Sequence, residues 1–110
     1  MNLIEKVIIV EGKTDKQKVE KVLLEPVDIR CTYGTIGREY LQELVEEIES
    51  LDVYILVDND YSGDQLRKQL IRELPNATIL EVPNIYKEVA MTSTDEIRKL
   101  LKEAHFMVKE

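Results

Sequence analysis

Residues 53–63 read Val-Tyr-Ile-Leu-Val-Asp-Asn-Asp-Tyr-Ser-Gly and carry the most informative pattern in the chain. Its first five residues form a continuous apolar run, which predicts a strand buried on both faces. Asp58 and Asp60 follow directly, so the strand delivers two carboxylates at its C-terminal end. A helical pattern then begins, with apolar residues at Leu66, Leu70, Ile71 and Leu74. A buried strand that leads through an acidic loop into a helix is typical of α/β domains.

The same alternation of strand and helix signals extends in both directions along the chain. Residues 6–10 form a second continuous apolar run, and residues 28–33 alternate between apolar and polar positions, as in an edge strand. Residues 77–82 predict a fourth strand that ends at Pro83, and amphipathic helical patterns lie between the strands and after the last one. We therefore expect a single α/β domain over residues 1–110 with a mostly parallel sheet.

Composition limits the kind of protein that this chain can be. With 110 residues, 44% of them hydrophobic and 34% charged, the sequence is typical of a soluble globular domain. It has no apolar run near the roughly 20 residues needed to cross a bilayer and no signal-peptide core, and its single cysteine fits a reducing cytoplasm. The formal net charge of −7 weighs against strong unaided binding to nucleic acid, whose phosphates attract basic surfaces. A metal ion and a partner protein would then supply the positive charge and the affinity.

Three carboxylates are expected at one edge of the sheet. Glu11 follows the strand at residues 6–10, and Asp58 and Asp60 follow the strand at residues 53–57. The carboxyl ends of parallel strands share one edge, so these side chains meet if the two apolar strands are neighbours. Carboxylates with several waters suit Mg²⁺ or Mn²⁺, and a bound cation would relieve their mutual repulsion.

Three other interpretations compete for these acids. An EF-hand loop matches at Asp58, Asp60, Ser62 and Gly63. However, Gln69 stands where that loop needs a bidentate glutamate, and a strand precedes the loop where a helix is required. A phospho-accepting receiver domain would need a second acid after the first strand and a fifth strand that carries a lysine, and the sequence predicts neither. Helix capping is the third interpretation, since Asp58 or Asp60 could accept amides at the start of the following helix.

Three motifs resemble those of the toprim domain, and together they cover nearly the whole chain. They are Glu11-Gly12, the turn Gly34-Thr35-Ile36-Gly37, and Asp58-Asn59-Asp60-Tyr61-Ser62-Gly63. That domain occurs in topoisomerases, bacterial primases, recombination-repair proteins and 5S ribosomal RNA maturases, and the small maturase-like and primase-like members look most similar. The resemblance implies a four-stranded, mostly parallel sheet sandwiched between helices, in the three-layer manner of Rossmann-type folds. It also implies that Glu11, Asp58 and Asp60 are catalytic and metal-binding, with Mg²⁺ or Mn²⁺ as cofactor in phosphoryl transfer.

Departures from the toprim pattern limit the functional prediction. Ser62 stands where type IA topoisomerases carry a third acid, and we expect no template-binding domain or basic RNA-binding extension beside the core. The first hypothesis is a Mg²⁺-dependent nuclease of the ribosomal RNA maturase type, which acts on nucleic acid together with a partner protein. The alternative is a non-catalytic metal- or phosphate-binding accessory module. The sequence leaves open whether the chain is an enzyme and whether its substrate is RNA or DNA.

Residues around the acids carry weaker expectations. Lys13, Arg67 and Lys68 either contact a phosphate backbone or balance the acids as solvated charges. The pattern Thr-Asp-Lys-Gln at residues 14–17 predicts a capping box at the start of the first helix. Residues 83–93 predict a loop that is too polar to enter the core, and the sequence assigns no role to it.

Overall fold

The computed structural model describes residues 3–110 as a four-stranded parallel sheet with helices on both faces. The strands are β1 (Lys6–Val10), β2 (Asp28–Cys31), β3 (Asp52–Leu56) and β4 (Thr78–Leu80). The helices are α1 (Lys13–Glu20), α2 (Arg38–Ile48), α3 (Tyr61–Glu73) and α4 (Thr94–Glu103), with a 3₁₀ turn at Val89–Met91. The order across the sheet is β2-β1-β3-β4, and each neighbouring pair is parallel. The predicted α/β architecture is confirmed.

Two hydrophobic layers enclose the sheet, because successive side chains of a strand point to opposite faces. On one face, Val7 and Ile9 of β1 pack with the buried stripes of α2 and α3. On the other face, Ile8 and Val10 pack with α1, α4 and the C-terminal segment. These four side chains are fully buried, which explains why β1 is apolar without interruption. The layers are therefore helix, sheet and helix, as the resemblance implied.

Strands β1 and β3 are neighbours at the centre of the sheet. Their register pairs Val7 with Val53 and Ile9 with Ile55. The chain leaves β1 toward β2 on one side and leaves β3 toward β4 on the other, so the carboxyl ends of β1 and β3 form a topological switch point. Ligands of open parallel sheets bind at such a topological switch point. The adjacency that the acidic site requires is therefore present.

The start of α1 differs from the prediction. The helix begins at Lys13 with Gly12 as N-cap, so the capping box predicted at residues 14–17 is wrong. The Asp15 carboxylate, three residues after the cap, accepts a hydrogen bond from the Gly12 amide at 3.1 Å. The helix starts earlier than predicted because Gly12 is already the extended residue that leaves the strand.

The loop at residues 83–93 also differs from the prediction that it stays outside the core. Val89 begins the 3₁₀ turn and is fully buried, and Thr92 is buried as well. The Thr92 hydroxyl donates to the Glu88 carbonyl at 2.9 Å, so its polar group is satisfied within the loop. A single apolar residue among polar neighbours gives no periodic pattern. The sequence therefore does not predict that part of this loop is buried.

The C-terminal residues complete the layer that contains α1 and α4. Leu23 and Val108 form an antiparallel bridge, and the Leu24 amide donates to the Met107 carbonyl at 2.9 Å. The buried Phe106 ring packs on the core, in the layer formed by α1 and α4. Within residues 3–110, no helix combines the length and the apolar character that a membrane span needs.

Candidate functional site

Glu11 and Asp58 meet at the centre of the sheet edge. Glu11 follows β1 and Asp58 lies two residues after β3, so the pairing of these strands brings the two acids together. The Asp58 amide donates a hydrogen bond to Oε2 of Glu11 at 2.7 Å. Both residues are partly exposed, so their carboxylates stay within reach of solvent. The structure therefore joins two of the three predicted site acids by a direct contact.

Asp58 and Asp60 each use one carboxylate oxygen to hold the backbone around the acidic loop, which we define as Asp58–Gly63. Oδ1 of Asp58 accepts the Val89 amide at 2.8 Å, and Oδ1 of Asp60 accepts the Gly63 amide at 2.7 Å. Asp60 is thereby the N-cap of α3, so the capping interpretation holds for this residue. In the described part of the chain, the second oxygen of each aspartate accepts no hydrogen bond. These oxygens are available to a ligand.

The acidic loop turns closely into α3 because residue 63 is glycine. A Cβ atom at Gly63 would lie 2.0 Å from the carbonyl oxygen of Asp58 and 3.1 Å from Oδ1 of Asp60. A separation of 2.0 Å is far inside the van der Waals contact distance, so no side chain fits at this position. Gly63 therefore allows the helix to begin within a few residues of the strand end.

Burial, together with the charges of neighbouring carboxylates, raises the pKa of Glu11 and of Asp15. Burial is the largest cause of the raised pKa of Glu11, and the charges of Asp58 and Asp60 add to it against the hydrogen bond from the Asp58 amide. Burial also raises the pKa of Asp15, and the charge of Asp58 is the next cause. Acids that repel one another in this way favour a bound proton or a bound cation at the same place.

Two further residues of this edge are not predicted by the sequence. Asp15 is only 7% exposed despite its charge, and its pKa responds to Asp58. Asn59 donates from its backbone amide to the Lys87 carbonyl at 2.6 Å and from Nδ2 to the Val82 carbonyl at 2.8 Å. The sequence does offer a sign for Asp15, because an acid in the first turn of α1 follows Glu11 closely and so lies near the same edge. The contacts of Asn59 leave no local signal, because both partners are distant in sequence.

The three cations predicted to contact phosphate have different environments. Arg67 is largely buried, where its guanidinium donates to Oδ1 of Asn59 at 3.2 Å and pairs with Asp64 at 3.3 Å. Lys68 is exposed and pairs with Asp64 at 3.2 Å, and Lys13 is exposed in the first turn of α1. Arg67 therefore holds the acidic loop against α3, whereas Lys13 and Lys68 are accessible. Contact of the three residues with nucleic acid stays a prediction.

The donor chemistry of this edge fits a hard divalent cation. Carboxylate oxygens are the ligands that Mg²⁺ and Mn²⁺ prefer, and a positive charge would relieve the repulsion among these acids. Across residues 3–110, no three acidic, histidine or cysteine side chains are grouped closely enough to hold a metal ion together. Mg²⁺ would here use one or two carboxylates and keep several waters, which is its usual mode in proteins. The complete ligand set of Glu11, Asp58 and Asp60 stays a prediction.

Comparison with known proteins gives relatives of two kinds, although no protein-family model matches the chain. The small TOPRIM domain protein from Bacillus stearothermophilus superposes with a TM-score of 0.93 and 47% identity, over 98% of this chain and 92% of that chain. The uncharacterized protein YusF of Bacillus subtilis is 52% identical over 98% of this chain and 74% of its own length. Ribonuclease M5 of Mycoplasma mycoides is 31% identical over 92% of this chain. The match spans 62% of that ribonuclease.

Proposed function

The chain belongs to the small toprim domain proteins, and on that basis we propose that it is a Mg²⁺-dependent phosphoryl-transfer protein acting on nucleic acid. Stated more specifically, the proposed activity is that of a nuclease of the ribosomal RNA maturase type, because relatives named ribonuclease M5 match most of this chain. The observation that supports the proposal best is the hydrogen bond from the Asp58 amide to Glu11. This contact brings the Glu11 carboxylate to the backbone of Asp58, at the switch point of the sheet.

In this proposal, the acids have different roles in the hydrolysis of a phosphodiester. Asp58 and Asp60 would hold Mg²⁺, and the ion would supply positive charge beside the scissile phosphate. Glu11, whose pKa is raised, accepts the proton of the attacking water. The water oxygen bonds to phosphorus, the bond from phosphorus to the leaving sugar oxygen breaks, and that oxygen takes a proton from solvent.

A partner protein that binds nucleic acid is part of the proposal. The formal net charge of −7 opposes unaided binding to a phosphate backbone. The match spans about three fifths of two ribonucleases M5 and 40% of two others. What the remainder of those proteins contributes to their activity lies outside the match. The chain would supply the reactive site, and the partner would supply much of the affinity for the substrate.

Cleavage of structured RNA and of DNA by the purified protein with Mg²⁺ tests the enzyme proposal. Glu11→Gln removes the proton acceptor and Asp58→Asn removes a metal-binding charge, so each should lower the cleavage rate at least about 100-fold. Glu39→Gln removes one charge from the exposed part of α2 and should leave the rate unchanged. If wild-type protein cleaves neither substrate and both site variants behave like wild type in cells, the enzyme proposal fails. It also fails if both site variants cleave at the wild-type rate.

A non-catalytic metal- or phosphate-binding module is the second candidate. The lack of a preformed three-carboxylate group in the described part of the chain favours it, as does the negative net charge. Such a module would bind Mg²⁺, and its melting temperature would rise, but nucleic acid would stay intact even with a nucleic-acid-binding partner present. Cleavage assays in the presence of that partner therefore separate the two candidates.

A further inference from the structure

A polar cavity of about 360 Å³ lies between α3 and the turn that follows β2. Its lining, which we call the basic shelf, consists of Thr35, Gln65, Lys68, Gln69 and Arg72. The other three residues from α3 lie three, four and seven positions after Gln65, so all four share one face of the helix. The lining contains two cations, two amides and one hydroxyl group, and it contains no carboxylate.

The positive charge of the basic shelf is unusual in a chain with 22 acidic and 15 basic residues. A cavity of about 430 Å³ at the opposite end of β3 is lined in part by Glu49, Asp52 and Glu73. Another, of about 390 Å³, includes Glu46 and Glu73 together with Arg38. An anionic ligand that approaches this acidic protein would therefore be attracted to the basic shelf rather than to these cavities.

Both walls of the basic shelf are connected to the acidic site. Nε2 of Gln69 donates to the Ile36 carbonyl at 2.7 Å and so fixes α3 to the turn. The turn begins at Tyr33, whose amide donates to the Glu11 carbonyl at 2.7 Å. Along α3, Lys68 lies about 12 Å from the N-cap, at 1.5 Å per residue. A strand bound at the acidic site would therefore reach the shelf within a few nucleotides.

We propose that the basic shelf binds the phosphodiester backbone of the nucleic-acid strand that enters the acidic site, an inference that rests on the proposed function. Lys68 and Arg72 contact phosphates of that strand from positions one helical turn apart, about 6 Å along α3. Thr35 and Gln65 donate further hydrogen bonds to phosphate oxygens. The ion pair of Lys68 with Asp64 does not prevent this contact, because both side chains are exposed and such surface pairs are weak.

Binding measured by fluorescence anisotropy tests the basic shelf separately from cleavage. The probe is a fluorescein-labelled single-stranded oligoribonucleotide, titrated with Glu11→Gln protein in Mg²⁺ at several salt concentrations. Adding Lys68→Gln and Arg72→Gln to this background should weaken binding about tenfold. It should also reduce the slope of log affinity against log salt by about 1.4, because two phosphate contacts with a single strand are lost.

The matched control adds Lys21→Gln and Lys99→Gln to the same background, since both lysines are exposed on the opposite helix layer. This control should bind like the parent protein. If the shelf variant binds like the control, or if the parent protein binds no oligonucleotide, the inference is overturned. Shelf-dependent binding without cleavage by wild-type protein would overturn the proposed nuclease and support the shelf. Wild-type cleavage that the shelf substitutions leave unchanged would overturn the shelf alone.

Discussion

The carbonyl oxygen of Asp58 fills the space where a side chain at residue 63 would begin, 2.0 Å from the ideal Cβ position. Gly63 is buried in the first turn of α3, where the surrounding chain is closely packed. A larger residue at position 63 would displace the backbone of Asp58. The Asp58 amide is the group that donates a hydrogen bond to Glu11. Substitution at this one position therefore affects the fold and the site together.

We predict that Gly63→Ala lowers the free energy of unfolding by about 3 kcal/mol or more, because the new methyl group overlaps a backbone atom that packing holds in place. Gly37→Ser is the matched control. A side chain at Gly37 meets no atom within 4 Å, and serine is a good N-cap for α2, so stability should stay the same or rise. Urea denaturation measures both values, and a difference below about 1 kcal/mol would contradict this account of the loop.

Single residues differ in how far the sequence predicts their roles. Glu11 and Asp58 could be placed at one sheet edge because each follows a continuous apolar run that marks the end of a buried strand. Asn59 could not be assigned a role, since its partners Val82 and Lys87 come from a loop whose path depends on tertiary packing. For Arg67 the sequence leaves open a phosphate contact or a balancing charge, because it cannot show that the guanidinium is held by Asn59 and Asp64.

At the scale of elements, the sequence predicts the segments with periodic apolar residues, and it does not predict the path of the loop before α4. The predicted strand at residues 77–82 is confirmed only as the short edge strand Thr78–Leu80. Residues beyond it turn back over the sheet edge, where the Val89 amide donates to Oδ1 of Asp58 at 2.8 Å. The loop is therefore part of the wall around the acidic site, and the burial of Val89 anchors it.

We predict that Val89→Ala lowers the free energy of unfolding by about 1 to 3 kcal/mol, because it removes buried methyl groups from the core. Ile85→Ala in the same loop should change it by less than about 0.5 kcal/mol, since Ile85 is 88% exposed. The two variants lose apolar side chains of similar size only four residues apart. Equal small effects in urea denaturation would show that the loop is not anchored through Val89.

At the scale of the whole molecule, sheet order creates the acidic edge. The order β2-β1-β3-β4 makes the two apolar strands neighbours, and only that neighbourhood lets Glu11 and Asp58 touch. The apolar character of both strands indicates central positions, but it does not by itself fix which strands pair. The same order gathers acidic residues at one edge of a chain whose formal net charge is −7. These carboxylates repel one another, and a bound cation would relieve the repulsion.

Mg²⁺ should therefore raise the melting temperature of the whole domain. At ten times its dissociation constant, a ligand that binds only the native state adds about 1.4 kcal/mol, which corresponds to about 5 to 10 °C for a domain of this size. The double variant Asp58→Asn with Asp60→Asn should lose this rise. It keeps the acceptors for the Val89 and Gly63 amides, because an asparagine carbonyl accepts the same hydrogen bonds.

The matched control removes two exposed charges from α2, by Glu39→Gln with Glu43→Gln, and should keep the full rise in melting temperature. Scanning calorimetry with and without Mg²⁺, at constant ionic strength, measures all three proteins. A wild-type protein without any rise would show that the acidic edge binds no Mg²⁺. If the control lost the rise as well, the effect would come from general screening of negative charge, because only a local site distinguishes Asp58 and Asp60 from the acids of α2.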